Sequence, residues 1–450
     1  MRSSLILSSV SAQRLQDALR ASPFVERAAF LLCTEVCTDS TRKLLVTDVV
    51  PVQAKDYLHQ HEAGMSLASA AYASVVKVAR AASRSIVFVH SHPRGALFFS
   101  AQDDREEPKL IQFFQARVPS RAHGALVVCD GEMIGRIYTP DQEPLDVIAE
   151  WGTQWRVHVG AGVARQNVFD RSIRAVGQAG QRVLSRLIIG VVGAGGTGSP
   201  TAQILTRLGI GTLLLFDDDT LEDTNVPRVV GSRMTDVGQA KVQVLAEHLR
   251  AIGLGTTVEP IEGSICRQDV AARLRDCDVI FSCVDKEMPR SILMAHHLHY
   301  LTPVIDLGVK IEAADQLIQE VWGRITTITP GAPCLFCRGR ISAEGLRLEA
   351  LQREERDSQI RQGYAPELEE PAPAVVAYTS AVAATAASEL LSRLFLAGAR
   401  KSLGDESLMR LDLGTVRSNS GQRRAACMCA NDASFAAGDV TPYLELSWAS

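Results

Sequence analysis

Leu187-Ile188-Ile189-Gly190-Val191-Val192 is an unbroken apolar run, and Gly193-Ala194-Gly195-Gly196-Thr197-Gly198 follows it directly. No other stretch restricts the fold as strongly. A short apolar run closed by glycines reads as a strand of a parallel sheet, buried on both faces. The glycines permit a tight turn and let backbone amides approach an anion at the start of the next helix. Strand, turn, helix and strand then succeed one another, the signature of a βαβ unit and an α/β class. The ligand stays open on this pattern alone. A dinucleotide suits it as well as ATP, and Asp217, at the end of the next strand, could hold a ribose in either case.

The polar residues further along discriminate. Asp217-Asp218-Asp219 is succeeded by Asn225, Arg228 and Lys241, and Asp285 comes after the strand expected over 279–284. A dehydrogenase has no use for this set. An adenylating site does, since Arg and Lys neutralise a triphosphate and a carboxylate holds Mg²⁺ against it. The spacing resembles the ubiquitin-activating-enzyme-like superfamily, whose simple members are ThiF/MoeB-type adenylyltransferases. Its pattern is carried here by Gly193, Gly195, Gly196, Gly198, Asp217, Asp219, Asn225, Arg228, Gly238, Lys241 and Asp285, within a resemblance covering about residues 165–435. The resemblance implies a Rossmann-like domain that binds ATP and Mg²⁺ and works as a homodimer. It also implies an arginine lent by the second subunit, which Phe169-Asp170-Arg171 matches through Arg171. Val229 and Lys286 stand where the family usually has Gln and Asn.

A second constellation lies in the first half. Val89-His90-Ser91-His92-Pro93 closes an apolar strand, with Ser100 and Asp103 in the loop after it. Histidines two apart at a strand end point to one side, and a returning carboxylate completes two His, one carboxylate and an open position. That is the ligand set of a catalytic zinc, which lowers the pKa of its water to about 7. The motif resembles the JAB/MPN metalloprotease family and its JAMM signature, which implies a cytidine-deaminase-like α/β domain. By that resemblance His90, His92 and Asp103 bind zinc, and Ser100 donates to the oxyanion. A Glu near the start moves the proton. Glu26, just before the strand expected over 28–33, fits that placement, and Glu35 beyond it is the rival. Cys33 ends the strand where the family usually has Gly.

Ten cysteines are too few for a disulfide scaffold in 450 residues. Cys334 with Cys337 and Cys427 with Cys429 form two close pairs, suited to a structural Cys₄ zinc site. Related enzymes that form a carrier thioester commonly keep the acceptor cysteine between such pairs, and residues 338–426 contain none. Cys266, Cys277 and Cys283 stand in no recognisable context for that role, so direct transfer of the acyl-adenylate to an external nucleophile is expected.

Length suggests about two to four domains; the motifs reduce these to residues 1–155, a linker over 156–170 and an adenylyltransferase unit over 171–450. In the first unit, helices are expected over 11–21 and 65–82, and strands over 28–33, 43–52 and 85–90. A hairpin at Asp130-Gly131 should join strands over 124–129 and 133–138. Residues 151–170 read as a connector, 341–372 as a mobile excursion, and 373–397 as a buried helix whose Glu389 and Arg393 argue against a membrane span. The first residues hold too short an apolar run for a signal peptide. A cytoplasmic protein is expected, with no membrane partner. A formal charge of -4, from 47 Lys+Arg against 51 Asp+Glu, gives no basic footprint for nucleic acid.

The expected function is twofold: zinc hydrolysis after the C-terminal Gly of a small ubiquitin-like or sulfur-carrier protein, and ATP-dependent adenylation of that C-terminus. Two settings fit, sulfur-carrier maturation with a sulfur donor, or bacterial ubiquitin-like conjugation, including antiviral defence, with a conjugating enzyme. The alternatives are a NAD-binding Rossmann oxidoreductase with a metal-binding appendage and a non-catalytic scaffold for a ubiquitin-like partner.

Overall fold

A computed structural model describes the chain except residues 21–23, 63, 94–96, 120, 140, 161–166, 352–354, 356–372, 397–404, 432–434 and 449–450. Two compact units emerge, both α/β. One is Met1–Val163 with His299–Leu301 and Ala433–Val440; the other is Ala164–Leu298 with Thr302–Asp432 and Thr441–Ser450.

The first unit runs β1 (Arg2–Ser8), α1 (Ser9–Arg20), β2 (Ala28–Cys37), β3 (Thr41–Pro51), β4 (Tyr57–His61), β5 (Gly64–Leu67), α2 (Ser69–Ala81), β6 (Ser85–Ser91) and α3 (Ala101–Gln115). It continues through β7 (His123–Cys129), β8 (Glu132–Tyr138), β9 (Gln142–Pro144), β10 (Val147–Trp151) and β11 (Arg156–Val159). The main sheet has the order β11-β10-β1-β3-β2-β6-β7-β8-β9, and β4 pairs with β5 apart from it. Alternation along β2 explains the layers. Ala29, Leu31 and Cys33 pack with Ala12, Leu15 and Leu19 of α1. Ala28, Phe30 and Leu32 pack with Val75, Val76 and Ala79 of α2 and with Ile111 and Phe114 of α3. Helices therefore cover both faces of the sheet. On β6, Val87 and Val89 face α1, while Ile86 and Phe88 face α2 and α3. His90, in step with the latter pair, emerges on the α3 side.

Three local expectations change. The helix expected over 65–82 begins at Ser69, because Met65 is taken up by β5, opposite Gln60. The connector from Trp151 contains β11, paired antiparallel with β10. The N-terminal residues, assigned no element from sequence, form β1 between β10 and β3. The Asp130-Gly131 hairpin holds, and both residues take the positive φ its turn requires.

The second unit comprises α4 (Asp170–Arg186), β12 (Ile188–Val192), α5 (Gly198–Arg207), β13 (Thr212–Asp217), α6 (Lys241–Ala251), β14 (Thr257–Glu262), α7 (Gln268–Ala271), β15 (Val279–Ser282) and α8 (Glu287–Tyr300), whose last two residues group with the first unit. Then come β16 (Val304–Ala314), β17 (Leu317–Ile328), α9 (Ala343–Glu349), α10 (Val376–Phe395), β18 (Glu406–Arg410) and β19 (Thr415–Asn419). The sheet order is β14-β13-β12-β15-β16-β17-β18-β19. It is parallel through β16 and antiparallel beyond. The chain moves outward from β12 to β14 and returns at β15 on the other side of β12. That reversal opens a crevice at the carboxyl ends of β12 and β15. Helix α10 lies within the expected 373–397, with Val382, Ala383, Ala386 and Leu390 buried. Among the described residues, no helix is long and apolar enough to cross a membrane. Most of the excursion expected over 341–372 lies outside the described residues; its start forms α9.

Candidate active sites

At the end of β6 the chain is fixed by its neighbours: the His92 amide donates to the Val128 carbonyl at 2.9 Å and the Ser91 amide to the Arg27 carbonyl at 2.9 Å. The two imidazoles converge, with Nε2 of His90 and Nε2 of His92 3.2 Å apart. Oδ1 of Asp103 lies 3.3 Å from His90 Nε2, and its Oδ2 lies 3.9 Å from His92 Nε2. Two ligands at about 2.0–2.1 Å from one tetrahedral ion stand about 3.3 Å apart. The cluster therefore fits a zinc ion.

The Ser100-x-x-Asp103 spacing has a physical reason. Ser100 caps α3: its Oγ accepts from the Asp103 amide at 3.2 Å, and Asp103 Oδ2 accepts from the Ser100 amide at 2.7 Å. This capping box aims the other carboxylate oxygen at the histidines. Burial opposes ionisation of Asp103, but His90 and the Ser100 bonds hold its carboxyl well below the usual range. Glu26 precedes β2, its amide donating to His61 and its carbonyl accepting from Gln60 at 2.7 Å. Its Oε1 stands 3.9 Å from His92 Nε2. Burial pushes the Glu26 carboxyl up to about 7, with Asp103 adding to the shift and His90 opposing it. Glu35 is engaged elsewhere, by Arg42 at 3.1 Å and the Ala122 amide at 3.0 Å. Of the two candidates, the structure brings Glu26 to the histidines.

In the second unit the glycine run forms the turn between β12 and α5. Gly193 takes φ +95°, and a Cβ there would stand 2.7 Å from the Cys283 carbonyl oxygen; a Cβ on Gly198 would collide with the carbonyl of Gly193. These two glycines serve close approach of backbone. Gly195 instead has open space where a Cβ would stand, which leaves room for a phosphate. Asp217 Oδ2 accepts from the Ala194 amide at 2.6 Å, and its Oδ1 accepts from the Asp219 amide at 2.9 Å. Lys241, first residue of α6, reaches Asp219 at 2.6 Å. Arg228 lies against Gly196, at 3.3 Å from where its Cβ would be, and donates to the Thr224 carbonyl. Asn225 is buried in the same turn. Asp217, Asp218 and Asp219 cluster as a group that could hold a cation. Asp285 stands exposed beyond β15 and is not part of that triplet. Arg171 is exposed in the first turn of α4.

The four cysteines gather as their pairing suggested. Cys334 and Cys427 sulfurs are 3.4 Å apart, and those of Cys337 and Cys429 3.5 Å. All four ligand atoms lie within 4.8 Å of one another. Sulfurs at about 2.3 Å from one tetrahedral ion stand roughly 3.7 Å apart, so the set fits structural zinc. The Arg424 amide donates to Cys337 Sγ, an outer contact that orients the sulfur.

Sequence reasoning missed the residues that support these groups. Buried Asp306 takes Arg290 at 3.0 Å, Arg324 at 2.7 Å and the Ser282 hydroxyl at 2.7 Å. Arg290 in turn donates to the Val284 and Asp285 carbonyls and so shapes the end of β15. Arg136 and Glu107 form a comparable buried pair beside α3. Asp306, Arg324 and Arg136 are charges within strands, whereas Arg290 and Glu107 lie on helices, and no local pattern joins them.

Comparison with known proteins finds relatives of both units. The ThiF family model matches residues 169–427, and the model for prokaryotic homologs of the JAB domain matches residues 8–137. The chain is 32% identical over 163 residues to SAMP-activating enzyme E1 of Haloferax volcanii, covering 36% of this chain and 57% of that relative. Identity is 28% over 165 residues to the molybdopterin-synthase adenylyltransferase of Escherichia coli, covering 37% and 64%. It is 29% over 162 residues to adenylyltransferase and sulfurtransferase uba4 of Aspergillus fumigatus, covering 36% and 33%. The chain thus spans less than two thirds of each of these curated relatives. The solved structure of E. coli MccB with the peptide MccA-N7isoASN is similar at a TM-score of 0.48 and 19% identity, over 60% of this chain and 76% of that one.

Proposed function

The chain belongs to the ThiF family, and from that premise we propose that its second unit adenylates the C-terminal glycine carboxylate of a small ubiquitin-like or sulfur-carrier protein. The observation that carries this reading is the assembly of loop, carboxylates and cations at the carboxyl ends of β12, β13 and β15. The amides of the glycine turn and the N-terminus of α5 receive phosphate oxygens. Asp217 fixes the turn through the Ala194 amide, while Arg228 and Lys241 offset the triphosphate charge. Asp285 is the carboxylate that would hold Mg²⁺, which when bound would supply charge neutralisation to the triphosphate. A carboxylate oxygen of the carrier attacks the α-phosphorus, the bond to the bridging oxygen breaks, and pyrophosphate leaves. In a homodimer, Arg171 from a second copy adds a further cation.

The first unit hydrolyses peptide or isopeptide bonds that follow the same C-terminal Gly. His90, His92 and Asp103 hold the zinc, which would supply Lewis-acid polarisation and an activated water. Glu26 accepts a proton at its carboxylate and returns it to the leaving amine. Ser100, held at the start of α3 with its Oγ accepting from the Asp103 amide, turns its hydroxyl to donate to an oxyanion. The two chemistries, which fit units of about 1–155 and 171–450, meet at one carboxylate: hydrolysis frees it and adenylation activates it. With no cysteine in 338–426, the adenylate passes directly to an external acceptor, either a conjugating enzyme or a sulfur donor. Bacterial ubiquitin-like conjugation, antiviral defence included, and cytoplasmic sulfur-carrier maturation both accommodate this.

ATP–pyrophosphate exchange tests the reading. It should require a carrier with a free C-terminal Gly and vanish when that carboxyl is amidated. Exchange indifferent to the carrier, or reduction of NAD, would contradict it; the ThiF match already weighs against the oxidoreductase alternative.

A further inference from the structure

We propose that Arg136 is the positioning residue that sets the metal geometry of the first unit, by clamping the first turn of α3 to the sheet that carries the histidines. The proposal rests on the metal reading of His90, His92 and Asp103.

The capping box orients Asp103 within its own turn but does not fix that turn in the fold. The helix ladder is cut just there. Pro108 lies inside α3 and has no N–H, so the bond it would give the Asp104 carbonyl is missing. A guanidinium takes over the anchoring. Arg136 Nε reaches Glu107 Oε1 at 2.6 Å and Nη2 reaches Oε2 at 2.9 Å, a two-pronged bond, while Nη1 reaches Asp104 Oδ1 at 2.7 Å. The same group lies 3.9 Å over the ring of Phe99, the residue before Ser100. Tyr138, two positions on along β8, donates to Glu107 at 2.7 Å. Residues on both sides of the Ser100–Asp103 turn are thus tied to β8.

Arg136 and Glu107 are 6% and 5% exposed, so the pair is shielded from water and its geometry is stiff. Strand β8 pairs with β7, which pairs with β6 and hence with His90. The clamp therefore refers the carboxylate and the histidines to one sheet. Lysine cannot replace the fork, because a single ammonium cannot hold both oxygens of Glu107 and also reach Asp104.

Zinc affinity of the full-length protein, read by chelator competition, tests this together with the visible spectrum of the cobalt-substituted form. The Cys334–Cys337–Cys427–Cys429 cluster is the internal reference. Arg136→Lys keeps the charge, and Arg136→Met with Glu107→Leu removes both buried charges while keeping the packing. Each should weaken the histidine site about 10- to 100-fold, as loss of an outer support does, shift its cobalt bands, and leave the cysteine site unchanged. Unaltered affinity and bands in both variants would overturn the proposal. Equal loss at both sites would overturn it too, since the clamp would then only hold the fold. If the unsubstituted protein binds no ion that His90→Ala removes, the metal reading itself fails, and that result needs no Arg136 variant.

Discussion

Burial pushes the Asp217 carboxyl above its ordinary value, and the amides of Ala194 and Asp219, with Lys241 nearby, oppose the shift. The two amides that oppose the shift are the ones through which Asp217 fixes the glycine turn. Asp217→Asn should weaken that hold by about 1.5–3 kcal/mol, the range for a hydrogen bond to a charged group, and raise the KM for ATP in the exchange assay about 10- to 100-fold. An unchanged KM would mean that the turn holds its shape without Asp217. Gly198→Ala should do more harm, because its Cβ meets the Gly193 carbonyl rather than a movable side chain. Loss of ATP binding, measured by calorimetry on a protein that still melts cooperatively, is the expected result. Residues of this kind were legible because strand and turn geometry fixes their spacing. Glu26 was legible only as one of two candidates, since the choice depends on where Gln60 and His61 hold the chain. Arg136 was not legible at all. Its partners Asp104 and Glu107 lie on α3, and no local pattern links them to β8.

Among the elements, β11 shows what local pattern omits. It is short, and its burial depends on a sheet that curls until β11 reaches β8. His158 makes that contact, with Nδ1 at 2.9 Å from Glu132 of β8 and Nε2 at 3.3 Å from Glu150 of β10. Burial alone would lower its pKa, but the two carboxylates outweigh that and raise it. A histidine with a raised folded pKa contributes stability that is complete below about 6.5 and lost as pH rises through the folded value. The melting temperature of the first unit should therefore fall as pH climbs above about 6.5, and His158→Gln should flatten the fall. An identical pH profile in that variant would sink the assignment. In α4, Gly177 departs from helical geometry at φ 74°, so Arg171 sits on a turn of its own before the main helix. Helices α8 and α9 cap each other: the Glu349 carboxylate takes the Glu287 and Met288 amides, and Glu287 takes the Ser342 amide. Glu287 starts α8, where acidic residues are common, and Glu349 ends α9, so neither announced this pairing in sequence.

At the scale of the molecule, two α/β units each place their chemistry at strand ends, and the Cys₄ cluster joins parts of the second that are far apart in sequence. Cys334 and Cys337 follow β17, whereas Cys427 and Cys429 follow β19. Removing a zinc from this cluster should lower the melting temperature of the second unit by about 5 °C or more, given roughly 2–4 °C per kcal/mol in a domain of this size. Cys427→Ser should lower it similarly without chelator. No change on chelation would mean that the four thiols close the site unaided. The class of both units and their motifs could be read from sequence because nearest-neighbour spacing encodes them. The curl of the first sheet and the buried Asp306 network could not, since both depend on strands distant along the chain.

We propose one chain with an adenylating site and a separate hydrolytic site, both acting on the same kind of C-terminus. Paired assays of Asp285→Ala and His92→Ala test it most directly, with ATP–pyrophosphate exchange for one site and release of a C-terminal extension from a Gly-ending carrier for the other. Asp285→Ala should abolish exchange and leave release intact, and His92→Ala should do the reverse. Loss of both activities in either variant, with the fold preserved, would contradict the account.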